Sequence, residues 1–166
     1  VARCLQTLNN FNCLMALLSS LNITTGRLTG CWNSIPLKMK KVYDDQLDLM
    51  SSTKNFMNYR KHLNTITSKE PTIPLLAIIL KDLVVLDEVM PSLCPSPINE
   101  RISMINFEKC ITFSNRINSV LYYQEAWRNI PHNQNIIDLI LRTEVWEDED
   151  SLYWISKFRD MKSKET

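Results

Sequence analysis

The sequence predicts an all-α fold. Three observations carry that reading: two glycines in 166 residues, few runs that alternate between polar and apolar side chains, and apolar residues that recur three and four positions apart. The spacing lines one face of a helix, and the scarcity of glycine leaves few of the tight turns that sheets require.

The elements follow in order. Val1, Cys4, Leu5 and Leu8 form an uncapped apolar stripe, read as the tail of a helix that begins upstream. Phe11, Leu14, Met15, Leu18 and Leu21 mark a second helix from Asn10, expected to end at Asn22 because Thr24-Thr25-Gly26 breaks the pattern. A short amphipathic piece with Arg27, Leu28 and Trp32 comes next. Pro36 opens a helix through Met39, Val42, Tyr43, Leu47 and Met50. Lys54 to Ile66 forms another, with Phe56, Tyr59, Leu63 and Ile66 inward.

The run Ile73 to Glu88 is the most apolar of the chain. Pro74 suits a first helical turn, and Pro91 stops the helix. Pro91 to Met104 reads as a loop holding Pro91, Pro95 and Pro97. Phe107, Ile111, Ser114 and Ile117 then place a helix over Ile105 to about Tyr123, so that 74–89 and 105–123 make an antiparallel helical hairpin. Helices over 133–141 and 148–158 complete the set, with Glu147-Asp148-Glu149-Asp150 in a first turn, where the helix dipole favours carboxylates. Tyr122, Tyr123 and Trp127 read as core and rim aromatics.

Composition bounds the function. At 45% hydrophobic and 22% charged residues, 166 residues make one ordinary globular domain with a core of its own. A net charge of +1 creates no global field for nucleic acid or membrane. Five cysteines without a CxxC pair and two isolated histidines point to reduced thiols in a cytoplasmic protein, with no metal site and no cofactor. The run from Thr72 to Leu93 is long enough for a membrane span, but Lys81, Asp82, Asp87 and Glu88 would be costly in hydrocarbon. A protein core is the expected home of that helix. No nucleophile-with-base motif, phosphate loop or metalloprotease motif occurs, which disfavours an enzyme working by covalent chemistry.

Two candidate sites remain. Lys81, Val84 and Glu88 fall on one stripe of the 74–89 helix, above Ala77. An anion at a helix C-terminus is unfavourably placed, which argues that Glu88 serves a partner, a solvated or salt-bridged carboxylate being the alternative. The second candidate is the set Asn9, Asn10, Asn12 and Asn22 around a Phe-Met-Leu face, with Asn22 read either as a contact residue or as a left-handed helix end. By these residues alone the chain is a helical protein-interaction domain.

Several stretches occur together in a familiar order: Leu8-Asn9-Asn10-Phe11-Asn12-Cys13-Leu14-Met15; Leu21-Asn22 with Arg27-Leu28 and Trp32; Asn58-Tyr59-Arg60; Ile73-Pro74 through Leu80-Lys81-Asp82-Leu83; and Ile105-Asn106-Phe107-Glu108-Lys109. In order and spacing the chain, from residue 1 to about 160, resembles the catalytic domain of Ras-type guanine-nucleotide exchange factors, with the family's first third expected upstream of Val1. The resemblance implies a helical bowl that grips the switch regions of a Ras-superfamily GTPase, with a protruding hairpin that opens the nucleotide site. Glu88 would approach the phosphate-loop lysine or serine, and Val84 would bring an apolar group to the magnesium site. Asn22 matches the asparagine of the motif helix. Met15, Phe56 and Leu75 match positions lining a pocket for a switch-region tyrosine. Lys81 and Arg27 stand with the GTPase-binding positions, Arg27 in a structural role.

The chain departs from the family at Leu75, where an aromatic is common, at Val89-Met90, in place of Gly-Asn, and at Cys110-Ile111, in place of a basic pair. Asp82 to Asp87 followed by Met90 is nearest to Ral-directed members, whereas Glu88 is shared with Ras- and Rap-directed ones. Ral is favoured over Ras and Rap as the partner. Recruitment to membranes would fall to regions outside this chain. An exchange-inactive scaffold of the same fold is the competing reading.

Overall fold

The computed structural model describes residues 1–124, 132–144 and 149–164. Among these residues lie nine helices and a single two-stranded ribbon, so the fold is all-α. Two compact units form: one from Arg3–Asn12 and the described residues between Ile66 and Gln124, the other from Cys13–Thr65 and the described residues from His132 on.

In the first unit, α1 (Ala2–Thr7) ends at Leu8, and Asn9 takes the left-handed conformation (φ 53°) that asparagine tolerates better than most residues. The reversal lets Asn10 bridge to Ile73: the Ile73 amide donates to the Asn9 carbonyl at 3.0 Å, and the Phe11 amide donates to the Ile73 carbonyl at 2.9 Å. Phe11 is fully buried as a result. The long apolar helix is α6 (Leu76–Val89), flanked by an extended Leu75, so Pro74 lies just before the helix and outside its first turn.

A ribbon stands where a plain loop was expected. β1 (Leu93–Pro95) and β2 (Ser103–Ile105) pair antiparallel, with Leu93 opposite Ile105 and Pro95 opposite Ser103. Strands of three residues are too short to display an alternating pattern, and Pro95 argues against a strand by composition. Asn106 then caps α7 (Phe107–Leu121) by accepting from the Lys109 amide. α6 and α7 are antiparallel arms: Lys109 meets Asp87, and Arg116 meets Asp82.

The expectation that α6 lies in a core does not hold. Only Ile78 of α6 is buried, while Leu80, Val84, Val85 and Val89 are exposed. On α7, the stripe of Phe107, Ile111 and Ile117 faces solvent as well. Both ion pairs occupy the seam between the arms, and each arm has much apolar surface left over.

The second unit holds α2 (Phe11–Arg27, counting its first two residues with the other unit), α3 (Thr29–Asn33), α4 (Leu37–Leu49), α5 (Thr53–Leu63), α8 (Gln134–Arg142) and α9 (Glu149–Lys164). α2 runs past Asn22 to Arg27, correcting the expected end. The Thr24 and Thr25 hydroxyls donate back to the carbonyls of Ser20 and Asn22 at 2.9 and 3.0 Å, and Gly26 faces open space, so neither threonines nor glycine break the helix. Leu14 and Leu18 are buried on its inner face. α3 packs on α9, where the buried Asp160 carboxylate accepts from the Gly30 amide. Trp32 meets the Tyr43 ring edge-on at 5.1 Å.

α5 is irregular where the sequence reads as continuous helix. Lys54, Asn55 and Phe56 are all left-handed (φ 50°, 56° and 59°), and right-handed turns begin only at Met57. Tyr59 is buried as expected, Phe56 and Leu63 are half-buried, and Ile66, buried, counts with the first unit. Asn133 caps α8 through the Asn135 and Ile136 amides. Tyr123 is buried and Tyr122 exposed; Trp127, Glu147 and Asp148 lie outside the described residues. No helix among the described residues is long and apolar enough to cross a membrane.

Candidate functional site

The hairpin stripe keeps the arrangement its spacing implies. Lys81, Val84 and Glu88 are all exposed on α6, Val84 at 58%. The helix carries three carboxylates, and α7 engages two of them. Asp87 Oδ1 lies 2.6 Å from Lys109 Nζ, and Asp82 Oδ2 lies 3.8 Å from Arg116 Nη1. Glu88 makes no hydrogen bond or ion pair among the described residues, nor does Lys81. The result is a solvated carboxylate one turn beyond a solvated valine, on a helix whose other acids are held.

A second candidate lies in the other unit. Met15, Leu18, Ser19 and Asn22 on α2 and Leu47, Met50, Ser51 and Ser52 at the end of α4 line a groove of about 250 Å³. Its floor is apolar, with Leu18 and Met50 buried, and its rim carries the Asn22 amide and three hydroxyls. Met15 and Asn22 thus share one groove, whereas Phe56 and Leu75, expected beside Met15, are not among its lining residues. Because α2 continues past it, Asn22 sits mid-helix as an exposed side chain and caps nothing. Leu47, Met50, Ser51 and Ser52 escaped the sequence reading. Leu47 and Met50 read only as apolar positions of the helix that Pro36 opens, and nothing in a Ser-Ser pair at a helix end marks a rim.

The remaining predicted residues are placed individually. Phe56 is half-buried within the left-handed stretch and does not line that groove. Leu75 flanks α6 in the other unit and is buried. Arg27 closes α2 with its guanidinium over the Tyr153 ring, 5.9 Å from the centroid.

Residues 1–111 match the RasGEF domain family. The chain belongs to that family. Relatives of the RasGEF chain include the cyclic GMP-binding protein D of Dictyostelium discoideum, 32% identical over 162 residues, 96% of this chain and 12% of that protein. RAS guanyl-releasing protein 1 of Xenopus laevis is 32% identical over 162 residues, covering 96% of this chain and 20% of the relative. Rap guanine nucleotide exchange factor 6 of Homo sapiens is 29% identical over 136 residues, 78% of this chain and 8% of the relative. The chain therefore spans a fifth or less of the curated relatives it matches. All eight predicted site residues of this RasGEF domain fall within the matched stretch.

Proposed function

We propose that this chain is the C-terminal part of a RasGEF catalytic domain, and that it promotes nucleotide release from a small GTPase of the Ras family, with Ral, Ras and Rap the candidates. The observation that carries the reading is Glu88: the one carboxylate of α6 without a partner among the described residues, exposed at the helix end that least favours an anion. An anion held there gains from a cationic partner, and the lysine and amide donors that cradle a nucleotide's phosphates are such a partner. A carboxylate competes with phosphate for those donors, and Val84, one turn away, cannot replace an oxygen ligand of magnesium. The nucleotide would lose its metal and its cradle together.

The groove at Met15 and Asn22 is suited to an apolar anchor from the switch regions, an aromatic side chain with its polar tip at the Asn22 rim, the usual form of an interface hot spot. Lys81 would add a positive charge beside the stripe. Acceleration on this reading is differential binding, the chain stabilising the nucleotide-free GTPase with no covalent step.

The test is the release of a fluorescent nucleotide from Ras, Rap and Ral in the presence of the chain. Faster release from at least one, reduced at least about tenfold by Glu88→Ala as expected for a lost charge-assisted contact, supports the proposal. A folded chain that accelerates none of the three overturns it. Stable binding of another protein, unaffected by Glu88→Ala and Asn22→Ala, would instead establish a docking scaffold.

A further inference from the structure

Lys109 joins three pieces of the hairpin through one ammonium. It stands in the first turn of α7, where its amide donates to Asn106 Oδ1 at 3.2 Å, and Asn106 Nδ2 in turn donates to the Pro91 carbonyl at 2.9 Å. The side chain, 12% exposed, reaches back to α6: Nζ lies 2.6 Å from Asp87 Oδ1 and donates to the Asp87 carbonyl at 3.3 Å and to Ser92 Oγ at 3.1 Å. Three acceptors match the three donors of an ammonium. All three belong to the last turn of α6 or the segment just after it.

The placement of these charges is poor for helix stability. Asp87 lies in the last turn of α6, at the negative end of its dipole, and Lys109 in the first turn of α7, at the positive end. The reverse order would suit both helices. What this order achieves is a substitute C-cap. Met90 is extended (φ −100°, ψ 117°), with no left-handed residue to satisfy the final carbonyls of α6, and Lys109 binds one of them.

One backbone bond closes the turn beside it, the Met90 amide donating to the Leu86 carbonyl at 3.0 Å. Next to it lies a groove of about 460 Å³, lined by Asp87, Ser92, Leu93, Ile105, Lys109 and Phe113 among others. Glu88, the next residue along, inherits a backbone fixed by Lys109 while its own carboxylate stays in solvent.

We infer that Lys109 is a positioning residue for exchange: acting through Asp87 and Ser92, it holds the turn that presents Glu88 to the GTPase. The inference rests on the proposed role of Glu88. It is tested with kcat and KM for nucleotide release by the wild-type chain and the variants Glu88→Ala, Lys109→Met, Asp87→Ala, Lys109→Met/Asp87→Ala and Lys109→Arg, together with hydrogen exchange at the Val89 and Met90 amides and circular dichroism to verify folding.

A misplaced reacting group should lower kcat about tenfold in Lys109→Met, with KM little changed. The double variant should be no worse than the poorer single one, because the two residues act as a unit. Lys109→Arg, which keeps charge and donors, should recover most of the loss. Val89 and Met90 should lose protection in Lys109→Met and keep it in Lys109→Arg. A wild-type chain without exchange activity overturns both the role of Glu88 and this inference. An active wild type with Lys109→Met at the wild-type kcat, or with unchanged protection at Val89 and Met90, overturns the positioning role alone.

Discussion

α2 and α6 are close counterparts in sequence, helices of 17 and 14 residues dominated by leucine, isoleucine and other apolar side chains. In the fold they differ. α2 buries Phe11, Leu14 and Leu18 almost completely, whereas α6 buries Ile78 alone and leaves Leu80, Val84, Val85 and Val89 in solvent. An apolar helix needs a partner surface, and that surface need not belong to its own chain. α2 is held by burial. α6 is tied to its neighbour by Asp82 and Asp87, and that arrangement leaves its apolar side and Glu88 in solvent.

The contrast makes its largest prediction for stability. Leu14→Ala should lower the unfolding free energy by about 2–5 kcal/mol, the cost of a core cavity. Leu80→Ala, at a position 62% exposed, should change it by no more than about 0.5 kcal/mol. Urea unfolding measures both. Equal costs would mean that α6 is a core helix after all.

Function should divide the other way. Asn22 is exposed on α2 at the rim of the Met15 groove, so its loss removes no core contact. Asn22→Ala should leave the urea midpoint unchanged and weaken binding of the nucleotide-free GTPase by about 1–3 kcal/mol, the cost of a lost buried polar contact. Titration calorimetry would show it. An unaltered affinity would remove Asn22 from the interface and leave α2 purely structural.

Most of this architecture was legible from spacing and caps: the order of the helices, the two arms, and the Lys81–Val84–Glu88 stripe all follow from a 3.6-residue period read along the chain. The remainder was hidden for physical reasons. Thr24-Thr25-Gly26 looks like a stop because these residues are weak helix formers, yet hydroxyls bonded to preceding carbonyls keep them helical. The ribbon at 93–105 is too short to have a period. Whether an apolar face is covered depends on contacts distant in sequence, so the exposure of Phe107 and Ile111 could not be read from their pattern. Lys109 was visible within its motif, but its reach to Asp87 depends on how the two arms align.

A smaller test concerns α5, which contains no breaker and is nonetheless interrupted, the reverse of α2. Lys54 is exposed and left-handed at φ 50°, whereas Lys61, also exposed, lies in the right-handed part. Lys54→Gly should stabilise the chain by about 0.5–1 kcal/mol, relief of the left-handed penalty outweighing the added freedom of the unfolded chain. Lys61→Gly should destabilise it by about the same amount. The two midpoints should move in opposite directions. A loss at both positions would show that 54–56 is right-handed helix in solution, and α5 would then be continuous like α2.

The smallest effect lies at Tyr123, beyond the end of α7, which shows that the hairpin unit also has a buried side. Burial pushes the Tyr123 phenol above its ordinary value, with the neighbouring Tyr122 and then Glu70 adding to the rise. The folded state therefore holds the phenolic proton more tightly than the unfolded one. The stability this represents is fully present below the ordinary phenol pKa of about 10 and is lost as pH climbs through the raised folded-state value. Urea midpoints measured from pH 8 upward should stay level to about 10 and then fall. Tyr123→Phe, which keeps the ring and has no proton to lose, should fall less steeply over the same range. Identical slopes for the two proteins would place this phenol in water, and the buried side of the hairpin unit would then end short of Tyr123.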